Sequence, residues 1–141
     1  MPMTQLSLAT TIILLFPMLY FLFSSLTFFL ARLSDPTVTW LLRGLFNTYF
    51  RVVGVTGAIA TVAFAAAGRP EVALGLGVLV AASIAARSWF LRRMDAELRA
   101  RDAGDTAALR NLRRLHVGAI MYNAVQVSAV VACLPLVFPS V

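Results

Sequence analysis

Four long apolar stretches alternate with short polar ones along the chain, and each is long enough for a helix that crosses a bilayer, which needs about 20 mostly apolar residues. The first, residues 8–30, carries no charge. The second, residues 48–67, has Arg51 in its first turn and ends where Gly68, Arg69 and Pro70 interrupt the pattern. Pro70 suits the first position of a new helix, because the N–H it lacks would have no partner there. The third, residues 72–91, carries Arg87 near its end, and the fourth, residues 117–138, closes at Pro139 and Ser140. The pattern predicts an all-α bundle of four transmembrane helices forming one integral membrane domain over residues 1–141.

The polar stretches have structure of their own. Asp35-Pro36 is a helix start signal, and Trp40, Arg43 and Tyr49 are residue types favoured at the headgroup level, so residues 35–50 read either as an interfacial helix feeding the second span or as an anchored loop. Residues 92–115 read as a helical hairpin extension beyond the bilayer. Asp95 with Arg99 and Glu97 with Arg101 have i,i+4 spacing, Gly104 interrupts, and Asp105 is a good cap for the next helix.

Composition strengthens this picture. Apolar residues make up 60% of the chain and charged residues 13%, with a mean hydropathy of +0.86. Soluble domains hold about 25% charged residues, and disordered chains need low hydrophobicity, so both classes are excluded. All twelve basic residues are arginines. With no lysine there is no Schiff base and no P-loop, and one histidine with one cysteine leaves no metal-ligand cluster. No metal site and no catalytic residue is assigned.

The arginines also set direction. Arg32 and Arg43 lie between the first two spans, and seven arginines lie between the last two. The loop between the second and third spans has only Arg69, offset by Glu71. By the positive-inside rule both arginine-rich loops face the cytoplasm and both termini lie outside, as in a bacterial cytoplasmic membrane protein. Residues 1–10 contain no Lys or Arg, so the first span is expected to stay rather than be cleaved as a signal peptide. Nucleic acid is not an expected partner: four acids interleave with the seven arginines, and no aromatic residue among them could stack on a base. Anionic lipid at the cytoplasmic face accounts for the positive excess.

Polar residues inside the spans are the candidates for chemistry. His116, Asn123 and Gln126 share one side of the fourth helix. Hydrogen bonding across helices is their first reading, and a ligand site the second. Arg51 and Arg87 are expected to snorkel toward headgroups, or to form with His116 a vestibule for an anionic group such as a porphyrin propionate. Small residues repeat every four positions at Gly57, Thr61, Ala65, at Gly77, Ala81, Ala85 and at Ala124, Ser128, Ala132, which predicts close helix packing. The first span, rich in Phe and Leu and carrying Pro17, is expected to pack outermost or against lipid, or to meet another subunit, and Cys133 is expected to be an inert buried residue.

Phe46-Asn47-Thr48-Tyr49-Phe50 at the second span and Leu115-His116 followed by Asn123 in the fourth resemble the transmembrane-protein-205-like family of small four-span proteins. The likeness covers nearly the whole chain through short motifs. The first span lacks the glycines of that pattern, and the segment before Phe46 diverges. The resemblance implies marked positions at Phe46, Tyr49, Phe50, His116 and Asn123. It also implies a family without a settled enzymatic activity, whose eukaryotic members are associated with resistance to platinum drugs. The layout is also similar to the anthrone-oxygenase-like four-span proteins. The leading expectation is a non-enzymatic membrane protein that binds a lipid, a small solute or a partner, acting in transport or drug resistance, as a homo-oligomer or as an accessory subunit. The alternative is a membrane-bound oxidoreductase or haem-binding protein, with His116 as ligand or base and Tyr49 nearby.

Overall fold

A computed structural model describes residues 2–137, with side chains from Gln5 to Pro135. The predicted end of the fourth span at Phe138 and the stop at Pro139-Ser140 lie outside the described residues. The described chain is four helices and no strand: α1 (Pro2–Thr27), α2 (Pro36–Ala66), α3 (Pro70–Asp102) and α4 (Ala107–Val137). All four are long and apolar enough to span a membrane. They pack in a ring in which each touches its sequence neighbours and α4 closes against α1. The start of α1 and the end of α4 gather at one end with the α2–α3 turn, here the terminal end, and the other two loops form the arginine end.

Local chemistry sets the helix limits. The Asp35 carboxylate accepts a hydrogen bond from the Thr37 N–H at 2.8 Å, and Pro36 follows in the first turn. Residues 36–50 are therefore the first turns of α2 itself, in one unbroken helix. At the C-terminus of α2, Gly68 N–H reaches the Ala65 carbonyl and Arg69 N–H the Phe64 carbonyl. Gly68 has φ +72°, a left-handed conformation that side chains resist. The end of α3 repeats the device with Gly104 at φ +90°. Asp105 then caps α4 by accepting from Ala107 N–H at 2.8 Å. A helix of 31 residues is about 46 Å long against a hydrocarbon core of about 30 Å, so α2, α3 and α4 overshoot the bilayer.

Side-chain contacts give the register. Across α2 and α3, Arg43 faces Asp95, Gly57 faces Val80 and Thr61 faces Gly77. Across α3 and α4, Ser83 faces Gln126, Phe90 faces Gly118 and Glu97 faces Asn111. The core runs through Leu14, Met18 and Phe21 of α1, Phe46, Phe50 and Val53 of α2, Phe90 of α3 and Ala119 of α4.

Several expectations change. α1 is not outermost: 33% of its span is buried, against 17% for α3. A Phe- and Leu-rich face suits lipid and core equally, so composition alone does not separate them. The α2 and α3 small-residue rows meet at Gly57, Thr61 and Gly77, whereas Ser128 and Ala132 of the α4 row are exposed. Neither predicted i,i+4 ion pair forms, because neighbouring helices and loops offer partners at the same level. Asp95 pairs with Arg43, Glu97 accepts from Asn111 at 3.0 Å, and Arg101 reaches Asp102, Thr39 and the Leu33 carbonyl.

Candidate functional site

Three polar side chains of α4 point into the bundle: His116, Asn123 and Gln126 are all buried. Asn123 and Gln126 join a chain of hydrogen bonds that touches every helix. The Asn123 amide donates to the Met18 carbonyl of α1 at 3.1 Å and to the Tyr49 hydroxyl of α2 at 2.8 Å. Tyr49 donates onward to Gln126 Oε1 at 2.7 Å. Gln126 Nε2 donates to Ser83 of α3 at 2.9 Å and to the Tyr122 hydroxyl at 3.2 Å. With no water in a bilayer core, these groups have only one another as partners, and in such chains each interhelical bond contributes about 0.6 kcal/mol on average and up to about 1.7. Asn123 Oδ1 alone in this network has no partner.

His116 stands apart from that chain, nearer the arginine end. Its ring is 1% exposed and enclosed by Phe29, Phe28 and Phe46, with ring centroids 5.0, 6.2 and 6.3 Å away. The Ser25 backbone comes close to the ring, but neither imidazole nitrogen has a partner at hydrogen-bonding geometry, and the Ser25 hydroxyl also lacks one. Phe46, Tyr49, Phe50, His116 and Asn123 are all buried in this inner region, with Tyr49 stacked on Phe21 at 4.1 Å and tilted against Phe50 at 5.0 Å.

The arginine vestibule is not assembled. Arg87 is half-buried and donates through two nitrogens to Asn47 Oδ1, at 3.0 and 2.7 Å. Arg51 stands level with Arg87 by the α2–α3 register but is exposed, while His116 is sealed among aromatic rings. Two arginines of the stretch 92–115 work as structural ties. Arg113 donates to the carbonyls of Phe28, Phe29 and Ala31, which follow α1, and Arg101 holds the loop at Leu33. A helix end leaves carbonyls unsatisfied, so a guanidinium placed there is favourable.

Sequence reasoning did not single out Ser83, Tyr122 or the Met18 carbonyl. Ser83 carries no sequence signal, since a helical serine commonly bonds its own preceding turn. Cys133 is a correction: it is exposed and lines a cavity.

That cavity, about 480 Å³, occupies the terminal half of the bundle and draws its wall from all four helices. Thr11 and Leu14 contribute from α1, Ala60 and Phe64 from α2, Leu76 and Leu79 from α3, and Val130, Cys133 and Leu134 from α4. Glu71, in the first turn of α3, lies at the end nearest the termini. Gln126 lies one helical turn from Val130 and Met18 one turn from Leu14, so the hydrogen-bonded chain lies about one turn beneath the cavity lining, which contains none of its residues. The volume lies within the range of about 300–1,000 Å³ usual for small-molecule sites. Among the described residues no three His, Cys, Asp or Glu side chains group as metal ligands. Comparison with protein-family models, with curated proteins and with solved structures returns no match for this chain.

Proposed function

We propose that this protein is a non-enzymatic integral membrane protein that receives an apolar or amphipathic small molecule in the cavity at the terminal end of its bundle. The observation that carries the reading is the cavity itself, walled mostly by apolar side chains of all four helices. The positive-inside distribution supports both termini outside, and with that orientation the cavity belongs to the outer half of the membrane. An apolar solute partitions into the bilayer first and enters from there, with the Glu71 carboxylate near the mouth facing any polar or cationic end. Asn123 and Gln126 then serve as interhelical ties beneath the cavity. Capture of this kind is the first step of small-solute transport or drug resistance, and equally of lipid handling.

The test uses N-phenyl-1-naphthylamine, whose fluorescence rises on leaving water. Purified wild-type protein is expected to bind it saturably, and Gly75→Leu and Ala129→Phe, which fill the cavity, to weaken binding by roughly tenfold each. Gly75 has no neighbour within 4 Å of an added Cβ, so its variant is expected to fold. Equal binding by the filled variants overturns the reading.

One observation favours a second reading, a membrane oxidoreductase or haem-binding protein: the His116 nitrogens are buried without partners. The three phenylalanine rings around them leave a ligand no approach unless they move, which ranks this reading second. An absorption spectrum with metal analysis on protein in mild detergent, beside His116→Ala, decides it. A stoichiometric chromophore lost in the variant would install His116 as a ligand.

A further inference from the structure

At the opposite end of the bundle from that cavity, a groove of about 390 Å³ lies between α3 and α4. We propose that it holds an anionic phospholipid, with the lipid phosphate between Arg93 and Arg114 and an acyl chain running over Phe90 and Gly118. By the α3–α4 register the two arginines stand level on neighbouring helices, one turn or less beyond the apolar stretches that end at Leu91 and begin at Val117. This is the depth of the phosphate layer. Trp89, which lines the same groove and is 54% exposed, marks that depth independently, since indole rings favour the interface.

The groove is divided as a phospholipid is. Toward the bilayer its floor is apolar, and Gly118 leaves a notch in the α4 wall where an added Cβ would meet only Phe90, at 3.8 Å. Away from the bilayer it is polar, with Asn111 bonded to Glu97 at 3.0 Å. Arg93 is 63% exposed at its side chain and reaches Glu97 only at 3.9 Å, so most of its hydrogen-bonding capacity is free. Arg114 is exposed. Two arginines against one carboxylate leave a net charge of about +1, the complement of one phosphodiester, which guanidinium groups bind with directed hydrogen bonds. The inference is independent of the cavity and survives if that reading fails.

The experiment is native mass spectrometry of the full-length protein with added phosphatidylglycerol or phosphatidylcholine. Wild type is expected to retain phosphatidylglycerol roughly tenfold more strongly than phosphatidylcholine. Arg93→Gln with Arg114→Gln is expected to abolish that preference, while Arg32→Gln with Arg99→Gln, which removes the same charge elsewhere, keeps it. Gly118→Leu fills the notch with every charge in place and is expected to weaken retention as well. Equal loss in both arginine pairs would mean diffuse attraction to a basic surface and overturn the site. Displacement of the lipid by excess inorganic phosphate would reassign the groove to a soluble anion, and full retention by Gly118→Leu would remove the acyl-chain path.

Discussion

The Tyr49 hydroxyl of α2 donates to Gln126 Oε1 of α4 at 2.7 Å while accepting from Asn123, so a single oxygen links two amides one helical turn apart. Neither diagonal pair of helices is otherwise in close backbone contact. This oxygen therefore ties α2 to α4 across the middle of the ring, and α1 and α3 join through the Met18 carbonyl and Ser83.

Tyr49→Phe removes that oxygen and leaves one donor and one acceptor stranded. A loss of about 1–2 kcal/mol is expected in unfolding from mixed micelles. Ser83→Ala should cost less than half as much, because the Gln126 amide keeps Tyr122. A larger loss for Ser83→Ala would misplace the centre of the network.

The α2–α3 contact makes a contrast between two glycines. A Cβ on Gly57 would come within 2.7 Å of Val80 Cγ2, whereas a Cβ on Gly77 would meet only Thr61, at 3.9 Å. Gly57→Ala is expected to lower stability by about 1–3 kcal/mol and Gly77→Ala by little. Adding Val80→Ala to Gly57→Ala should restore much of the loss, and a thermal-shift series in detergent reads all three.

Neighbouring arginines on α4 should differ sharply. Arg113 binds three carbonyls that follow α1, whereas Arg114 is exposed. Arg113→Gln is expected to destabilise by about 1.5–3 kcal/mol and Arg114→Gln by no more than about 0.5. Equal effects would mean that the α1 tie contributes nothing to stability.

His116 sits in an aromatic cage with both nitrogens unsatisfied, so a phenylalanine there loses no hydrogen bond. His116→Phe is expected to match or exceed wild-type stability, while His116→Ala leaves a void and costs about 2–5 kcal/mol. Destabilisation by both would point to a bond that the imidazole makes.

Hydropathy alone located the four helices, because a spanning segment must satisfy its backbone internally and be apolar for some twenty residues. It also placed Asn123, Gln126 and His116 on one inward face, since a buried polar residue in a membrane stands out by contrast. It did not show which face of α1 turns inward: leucine and phenylalanine are at home in core or lipid, and α1 supplies Leu14, Met18 and Phe21 to the core while leaving Phe16, Tyr20 and Phe23 exposed. Long-range partners were illegible for a different reason. Asp95 and Glu97 each had an arginine at i,i+4, and only the register between helices brought Arg43 and Asn111 nearer. Cys133 was misread because the cavity it lines is built from side chains of all four helices, which no single helix encodes.

The cavity is tested most directly through that cysteine, the only one in the chain. Alkylation of Cys133 by an apolar maleimide should be rapid in wild-type protein, slow once N-phenyl-1-naphthylamine is bound, and slow without the probe in Gly75→Leu. A rate that neither the probe nor the filled cavity changes would contradict the account, because Cys133 would then face bulk lipid rather than a binding site.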